Sequence, residues 1–303
     1  MIGGRDDLDA AELRRLLQDQ AGLDLARLAP ARSGESRCAF WVTDRAGRPG
    51  LLKIIPGAGP EAAGRLRALD AVLGRLRARG YPAPEFHTIG SVPGLVFWVQ
   101  QRLPGHLLDP GAGGPPAAAA VGLLPRLLEL NDAQESLGTG PGGWPDVIAA
   151  TLASGGDGYC LHAMLHASPA ARDMLPVLRR IGERCCPAIP AGTDFVHYDF
   201  TPANLLTDGT AITGVIDINP PVLAGDRAFD LATLLFYFYE HEPARDLLTA
   251  RLLELAGPQA ASAYLAHMIL RQVDWSLRHH PATRRHLRLA RLVTDDIGHN
   301  PAH

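Results

Sequence analysis

Apolar residues recur at two different spacings along this chain, and the balance between them changes near residue 104. From Glu61 to Arg79, residues Ala62, Leu66, Leu69, Leu73 and Leu76 fall three or four apart, which places them on one face of a helix. Gly80-Tyr81-Pro82-Ala83-Pro84 then supplies a stop. Leu8 to Gln20 reads as a shorter amphipathic helix. Arg37–Asp44, Leu51–Ile55 and Leu95–Gln101 are short apolar runs that read as strands, with Gly47-Arg48-Pro49-Gly50 as turn chemistry between the first two. Residues 1–103 therefore predict a small α+β lobe of strands around one long helix.

Beyond Leu103 the pattern becomes helical. Pro104-Gly105 and the run Asp109 to Pro116, rich in Gly and Pro, read as a linker or long loop. Helices are predicted over Ala117–Leu137, Pro169–Arg184, Ala228–Tyr239, Arg245–Ala256, Gln259–His279 and Ala282–Ile297. Gly138 to Pro145 reads as irregular, and two short apolar runs separated by polar turns lie between Phe195 and Asp217. Residues 104–303 thus form a second, larger and mainly helical lobe. No internal repeat or heptad run is present.

Composition narrows the function classes. The 303 residues are 47% apolar, enough to bury a sizeable core, and the net charge is −3. That balance provides no basic excess for a phosphate backbone, so a nucleic-acid partner is not expected. The acidic start lacks the apolar stretch of a signal peptide, and no apolar run approaches the roughly 18 residues of a membrane span. Cys38, Cys160, Cys185 and Cys186 follow no metal or disulfide spacing and read as reduced thiols of a cytoplasmic protein. Of the 29 basic residues only Lys53 is a lysine. A compact ammonium kept where every other cation is a guanidinium marks a position where the planar fork does not fit.

The densest chemistry lies in His197-Tyr198-Asp199-Phe200-Thr201-Pro202-Ala203-Asn204, spaced H-x-D-x-x-x-x-N. This spacing arises by chance in roughly one chain in a hundred of such composition. Thirteen residues past Asn204 an apolar strand, Ile212 to Ile216, ends in Asp217, and Asp208-Gly209 supplies a hairpin that would return Asp217 to Asn204. Transfer of a phosphoryl group to a hydroxyl needs a carboxylate to orient the hydroxyl and take its proton, oxygen ligands for a divalent cation, and a cation for the remaining phosphates. Asp199 suits the first task, Asn204 and Asp217 suit Mg²⁺, and the strand residue Lys53 suits the third. The alternative is an ordinary polar loop that caps nearby helices.

At these residues the chain resembles the aminoglycoside phosphotransferase and choline-kinase-like group. The resemblance is carried by His197 to Asn204, by Gly214-Val215-Ile216-Asp217, and by Gly225-Asp226-Arg227-Ala228-Phe229-Asp230-Leu231-Ala232. It implies a two-lobed, protein-kinase-like α+β fold, with an antiparallel sheet lobe, a larger helical lobe and the nucleotide between them. It also implies that Asp199 is the catalytic base, that Asn204 and Asp217 hold Mg²⁺, and that Lys53 touches the phosphates of ATP or GTP. Asp230 would brace the catalytic loop, with His197 as a further brace. Ser33, Gly34 and Ser36 would form the phosphate-covering turn, although it has one glycine only. Gln101 and Leu103 lie where the base would meet the hinge. The acidic partner of Lys53 falls on Asp70 or on Glu61, and periodicity does not choose.

The expected acceptor is a small molecule bearing a hydroxyl, met on the helical lobe. Asp157, Asp226, Glu240 and Asp274 are candidates to line an acidic acceptor surface, against the reading that they are helix caps and solvated faces. His162 and His166 stand four apart, as zinc ligands can, but no third ligand is evident and a plain helical face is expected. An antibiotic kinase leads, a metabolite kinase for choline, homoserine or a sugar follows, and a non-catalytic nucleotide-binding regulator is the alternative of another class. A monomer or weak dimer is expected.

Overall fold

The computed structural model describes residues 9–31, 38–108, 118–139, 142–156, 159–218, 223–279 and 283–299. The internal contacts divide the chain into two compact units, Met1–Pro104 and Gly105–His303.

The first unit is a five-stranded antiparallel sheet with two helices. Its strands are β1 (Leu25–Pro30), β2 (Ala39–Asp44), β3 (Pro49–Pro56), β4 (Phe86–Val92) and β5 (Leu95–Gln101), in the order β1-β2-β3-β5-β4. Helix α1 (Ala10–Ala21) starts on an Asp9 cap and presents Leu13 and Leu17, both fully buried, to a cluster that includes Phe40, Val42, Leu52, Ile54, Phe97 and Val99. Because strand side chains alternate, Lys53 emerges on the face opposite Leu52 and Ile54. There it pairs in register with Trp98. Helix α2 (Pro60–Ala78) lies against β4 and β5 and buries Leu66, Leu69, Leu73 and Leu76 completely. These are the apolar positions that the three- and four-residue spacing identifies.

Two strands of this sheet lie outside the predicted runs. β1 reads Leu-Ala-Arg-Leu-Ala-Pro, without β-branched or aromatic residues, and its proline is tolerated because the strand lies at an edge. β4 contains Gly90, over which the ring of Phe97 lies so closely that a Cβ would collide with it. The cross-strand partner covers what the glycine leaves bare.

The second unit is built around α9 (Glu242–His279), which turns sharply at Gly257 (φ 71°) just before Pro258. The predicted pair of helices ending at Ala256 and beginning at Gln259 is thus found as two helical stretches of α9, broken by the non-helical Gly257. From Ala260 to Ser276 its residues are buried almost without interruption, against α6 (His162–Ala167), α7 (Met174–Cys185), α8 (Ala228–Phe238) and α10 (Thr283–His299). The helix predicted over 117–137 is broken within the described residues into α3 (Ala118–Val121) and α4 (Leu124–Ala133). Gly122 turns the chain there, and Pro125, which lacks an N–H, sits in the first turn of α4. The segment expected to be irregular before residue 146 leads into α5 (Trp144–Ser154), likewise with a proline in its first turn.

Short strands carry the chain through the region between Phe195 and Asp217. β7 (Asp194–Val196) pairs with β10 (Leu223–Gly225). β6 (His106–Leu107), β8 (Leu205–Thr207) and β9 (Ile212–Val215) form a second small sheet, with the Asp208-Gly209 turn joining β8 to β9. The loop from His197 to Asn204 is thereby held between β7 and β8.

Candidate active site in the loop between β7 and β8

The loop is fastened from three directions. From α8, the fully buried Asp230 accepts the His197 N–H (2.8 Å) and the Gln134 side-chain amide (2.8 Å) on one oxygen, and the Tyr198 N–H (3.0 Å) on the other. Burial raises its proton affinity above the usual carboxylate range, although His197 and these donors pull the other way. From β9, the Ile216 carbonyl lies 2.9 Å from His197 Nε2, while His197 Nδ1 receives the Asp199 N–H at 3.2 Å. A carbonyl can only accept and an amide N–H can only donate, so these partners require the neutral imidazole protonated on Nε2. His197 thus holds the loop to the strand that leads to Asp217.

The third fastening comes from α9. Arg271 donates through Nη1 to the Tyr198 carbonyl, and its Nη2 lies 3.0 Å from Asp199 Oδ1. Its guanidinium lies over the Tyr198 ring, 4.6 Å from the centroid. Tyr198 itself has φ 71°, a left-handed conformation that a bulky L-residue holds only against strain. Its ring stacks on Phe229 (5.2 Å), and its hydroxyl lies 3.4 Å from His267 Nε2. Burial, followed by the charge of Arg271, drives the His267 pKa down to about 3.

Within the loop, Asn204 Nδ2 donates to the Asp199 carbonyl (2.9 Å) and to Asp199 Oδ2 (2.8 Å). Both amide hydrogens are used, which leaves the Asn204 carbonyl oxygen as the acceptor end of the group. The Asn204 backbone carbonyl accepts the Ile216 N–H at 2.9 Å, so β9 brings Asp217 directly after a residue bonded to Asn204. Asp217 is exposed and has φ 62°. Two oxygen-bearing side chains of different charge therefore sit at adjoining points of the backbone. That donor set fits a hard cation such as Mg²⁺, which keeps several waters or phosphate oxygens of its own. Among the described residues no group of three His, Cys, Asp or Glu side chains could hold a metal.

The other sequence-derived candidates are distributed as follows. In the first unit, the Lys53 ammonium lies 5.8 Å from the centre of the Trp98 ring. Asp70 is 3.7 Å from Arg77 of the same helix, and Glu61 folds back over Gly59 at the start of α2. Gln101 is exposed and binds Glu85, its N–H donating to the Glu85 carbonyl at 2.7 Å; Leu103 is half-buried beyond β5. Ser33, Gly34, Ser36 and Asp157 lie outside the described residues.

The carboxylates expected at an acidic acceptor surface prove to be committed elsewhere. Asp226 is buried and accepts the Ala228 N–H (2.9 Å) in the first turn of α8 and the Tyr264 hydroxyl (2.8 Å); burial raises its proton affinity. Asp274 is fully buried and paired with Arg278 at 2.8 Å. Glu240 is exposed but engaged by Arg288 (2.7 Å) and Arg285 (3.4 Å). The acidic surface drawn from these three residues is corrected: two serve as an internal cap and a buried ion pair, and the third ties α8 to α10. His162 uses Nε2 on the Thr151 carbonyl and Nδ1 on Arg179, both at 3.1 Å, which is the plain helical role expected of it. Arg271, His267 and Gln134 carry no sequence signal, because Arg271 and His267 meet Tyr198 from 73 and 69 positions away and Gln134 meets Asp230 from 96.

Residues 27–264 match the phosphotransferase enzyme family, and the chain belongs to that family. It is a phosphotransferase with an alcohol group as acceptor. A thermostable mutant of aminoglycoside phosphotransferase APH(4)-Ia superposes with a TM-score of 0.67 at 21% identity, covering 95% of this chain and 100% of that one. A further point variant of that thermostable mutant has been crystallised as a ternary complex with ADP and hygromycin B. Aminoglycoside phosphotransferase APH(3'')-Id from Streptomyces rimosus, in complex with ADP and streptomycin, superposes at 0.58 with 15% identity over 87% of this chain and 99% of that one. A putative fructosamine-3-kinase from Haemophilus somnus superposes at 0.52 with 14% identity over 94% and 96%. No curated protein sequence matches the chain. No helix among the described residues is long and apolar enough to cross a membrane.

Proposed function

We propose that this phosphotransferase moves the γ-phosphate of ATP or GTP to a hydroxyl of an antibiotic, aminoglycoside-like or another natural product, and so confers resistance. The observation that carries the reading is the Asp199 carboxylate. One of its oxygens is held by Asn204 and the other by Arg271, yet 36% of the side chain remains open to a ligand. A base so oriented can receive a hydroxyl proton without first reorganising. The hydroxyl oxygen bonds to the γ-phosphorus as the bond to the bridging oxygen breaks; the proton goes to Asp199, and the nucleoside diphosphate leaves. Asn204 and Asp217 would hold Mg²⁺, which when bound neutralises charge on the phosphate oxygens. Lys53, with Ser33, Gly34 and Ser36, serves the phosphates; Asp70 or Glu61 supports Lys53, and Gln101 and Leu103 meet the base. The first unit is then the nucleotide lobe, and the second carries catalysis and the acceptor. The protein is then a cytoplasmic monomer or weak dimer, a compartment that suits cysteines outside disulfides at Cys160, Cys185 and Cys186.

A second reading, a kinase for a sugar-type metabolite, is favoured by the burial of Asp226 and Asp274 against internal partners and the pairing of Glu240 with Arg285 and Arg288. Without them the acceptor need not be a polycation. The test is transfer of labelled γ-phosphate from ATP or GTP, with Mg²⁺, to hygromycin B, streptomycin, a fructosamine and choline in parallel. Transfer to an antibiotic that disappears in Asp199→Ala, with ATP binding retained, is the expected result. Phosphorylation of the fructosamine or choline alone would replace the first reading by the second. Undiminished turnover in Asp199→Ala would remove the assigned base.

A further inference from the structure

Arg271 stands in the buried half of α9, 72 residues after the Asp199 it touches, with its side chain only 13% exposed. A guanidinium in such a position needs strong partners, since burial removes its water. Burial opposes its charge, but the Asp199 carboxylate and Tyr198 beside it outweigh that effect and hold the proton above the ordinary arginine range. Its hydrogen bond, its ring contact and its ion pair all fall on two consecutive loop residues: the Tyr198 carbonyl, the Tyr198 ring and Asp199 Oδ1.

The consequence follows from where these contacts fall. Asp230 grips the N–H groups of His197 and Tyr198 from α8, while Arg271 grips the Tyr198 carbonyl from α9. The strained left-handed residue is therefore fixed at both of its peptide groups. One step further on, Asn204 holds one Asp199 oxygen and Arg271 the other. Two donors on two oxygens define the plane of the carboxylate, whereas one donor leaves it free to turn about its terminal torsion.

We infer that Arg271 is the positioning residue of this enzyme, setting both the backbone and the carboxylate plane of Asp199 for the hydroxyl that Asp199 deprotonates. The inference rests on the role proposed above for Asp199. The planar fork matters as well as the charge. It reaches a carbonyl and a carboxylate at once while sitting over the Tyr198 ring, and an ammonium cannot do all three.

The experiment compares wild type, Arg271→Met, Arg271→Lys and Asp199→Ala, using ATP hydrolysis with water as acceptor, ATP binding, and amide hydrogen exchange across residues 195–205. Arg271→Met should lower kcat about 100-fold while the KM for ATP stays within about twofold, the signature of a misplaced base and not of lost binding. Exchange at the loop amides should rise about tenfold and stay unchanged elsewhere. Arg271→Lys should recover about tenfold of the lost rate, and it serves alone if the methionine variant does not fold. Wild-type turnover in Arg271→Met, with Asp199→Ala inactive, would overturn the inference while leaving the base in place. Wild-type turnover in Asp199→Ala would instead remove the base assignment. Should wild type hydrolyse no ATP, the exchange data decide alone, and unaltered loop exchange in Arg271→Met would overturn the inference. Equal rate loss in both Arg271 variants, with exchange raised throughout the second unit, would reduce Arg271 to a stabilising residue and overturn it likewise.

Discussion

The sheet of the first unit and the loop between β7 and β8 are held together by opposite means. In the sheet, each strand contributes alternate apolar residues to a face, and Leu52, Ile54, Phe97 and Val99 meet through pairings between neighbouring strands. The forces are non-directional, so many apolar residues of the right size would serve. In the loop, the partners are polar and directional and lie far apart in the chain: Asp230 is 33 residues from His197, and Arg271 is 73 residues from Tyr198. One wrong atom there leaves a buried donor or charge without a partner. The sheet therefore tolerates substitution by degrees, whereas the loop tolerates almost none.

Substitutions in the two regions should break this comparison in different ways. Asp230→Ala strips acceptors from the His197 and Tyr198 N–H groups and the Gln134 amide. It should cost about 4 kcal/mol of unfolding free energy by denaturant titration and also abolish turnover. Leu52→Ala in the sheet should cost about 3 kcal/mol in the same titration, yet leave kcat at saturating ATP within about threefold, because only packing is lost. A Leu52→Ala enzyme as inactive as Asp230→Ala would remove the distinction.

Smaller effects sharpen it. Lys53→Arg keeps the charge on β3 but changes its shape, and should lower kcat/KM for ATP about tenfold with little change in melting temperature. An unaffected variant would show that the single lysine of the chain is incidental. The smallest effect is in pH. His267, held neutral to about 3 by burial and then by Arg271, binds its proton more readily unfolded than folded. Its contribution is therefore complete above roughly pH 6.5 and is lost as pH falls below that value. At pH 5.5, His267→Gln should recover about 1.4 kcal/mol of the stability that wild type loses relative to pH 7.5. Parallel wild-type and variant curves between pH 7.5 and 5.5 would contradict this.

The loop and the helix α2 were legible in the sequence, whereas two strands and the acidic residues were not. H-x-D-x-x-x-x-N, the Asp-Gly turn and the strand-ending Asp217 lie within 21 consecutive residues, and a hairpin is local enough to bring them together. The helix α2 was equally plain, since its stripe of leucines repeats at the helical period. By contrast β1 lacks β-branched and aromatic residues and β4 is interrupted by Gly90, so their strand character comes from neighbours that supply hydrogen bonds and, at Gly90, a covering ring. The acidic residues taken for an acceptor surface could not be told from caps and ion pairs, because a carboxylate looks the same in sequence whether it faces solvent, as Glu240 does, or a buried tyrosine, as Asp226 does.

By its own order of residues the chain determined where the chemistry-bearing loop lies, which helices carry a buried stripe, and that Lys53 stands alone among the basic residues. Those features depend on spacing, and spacing is a property of the covalent chain. Only the folded second unit decided that Arg271 and Asn204 divide the two oxygens of Asp199, that Asp230 holds the strained Tyr198, and that Asp226 and Asp274 turn inward. Directional contacts between residues tens of positions apart exist only once the helices have packed, so no local pattern could have announced them.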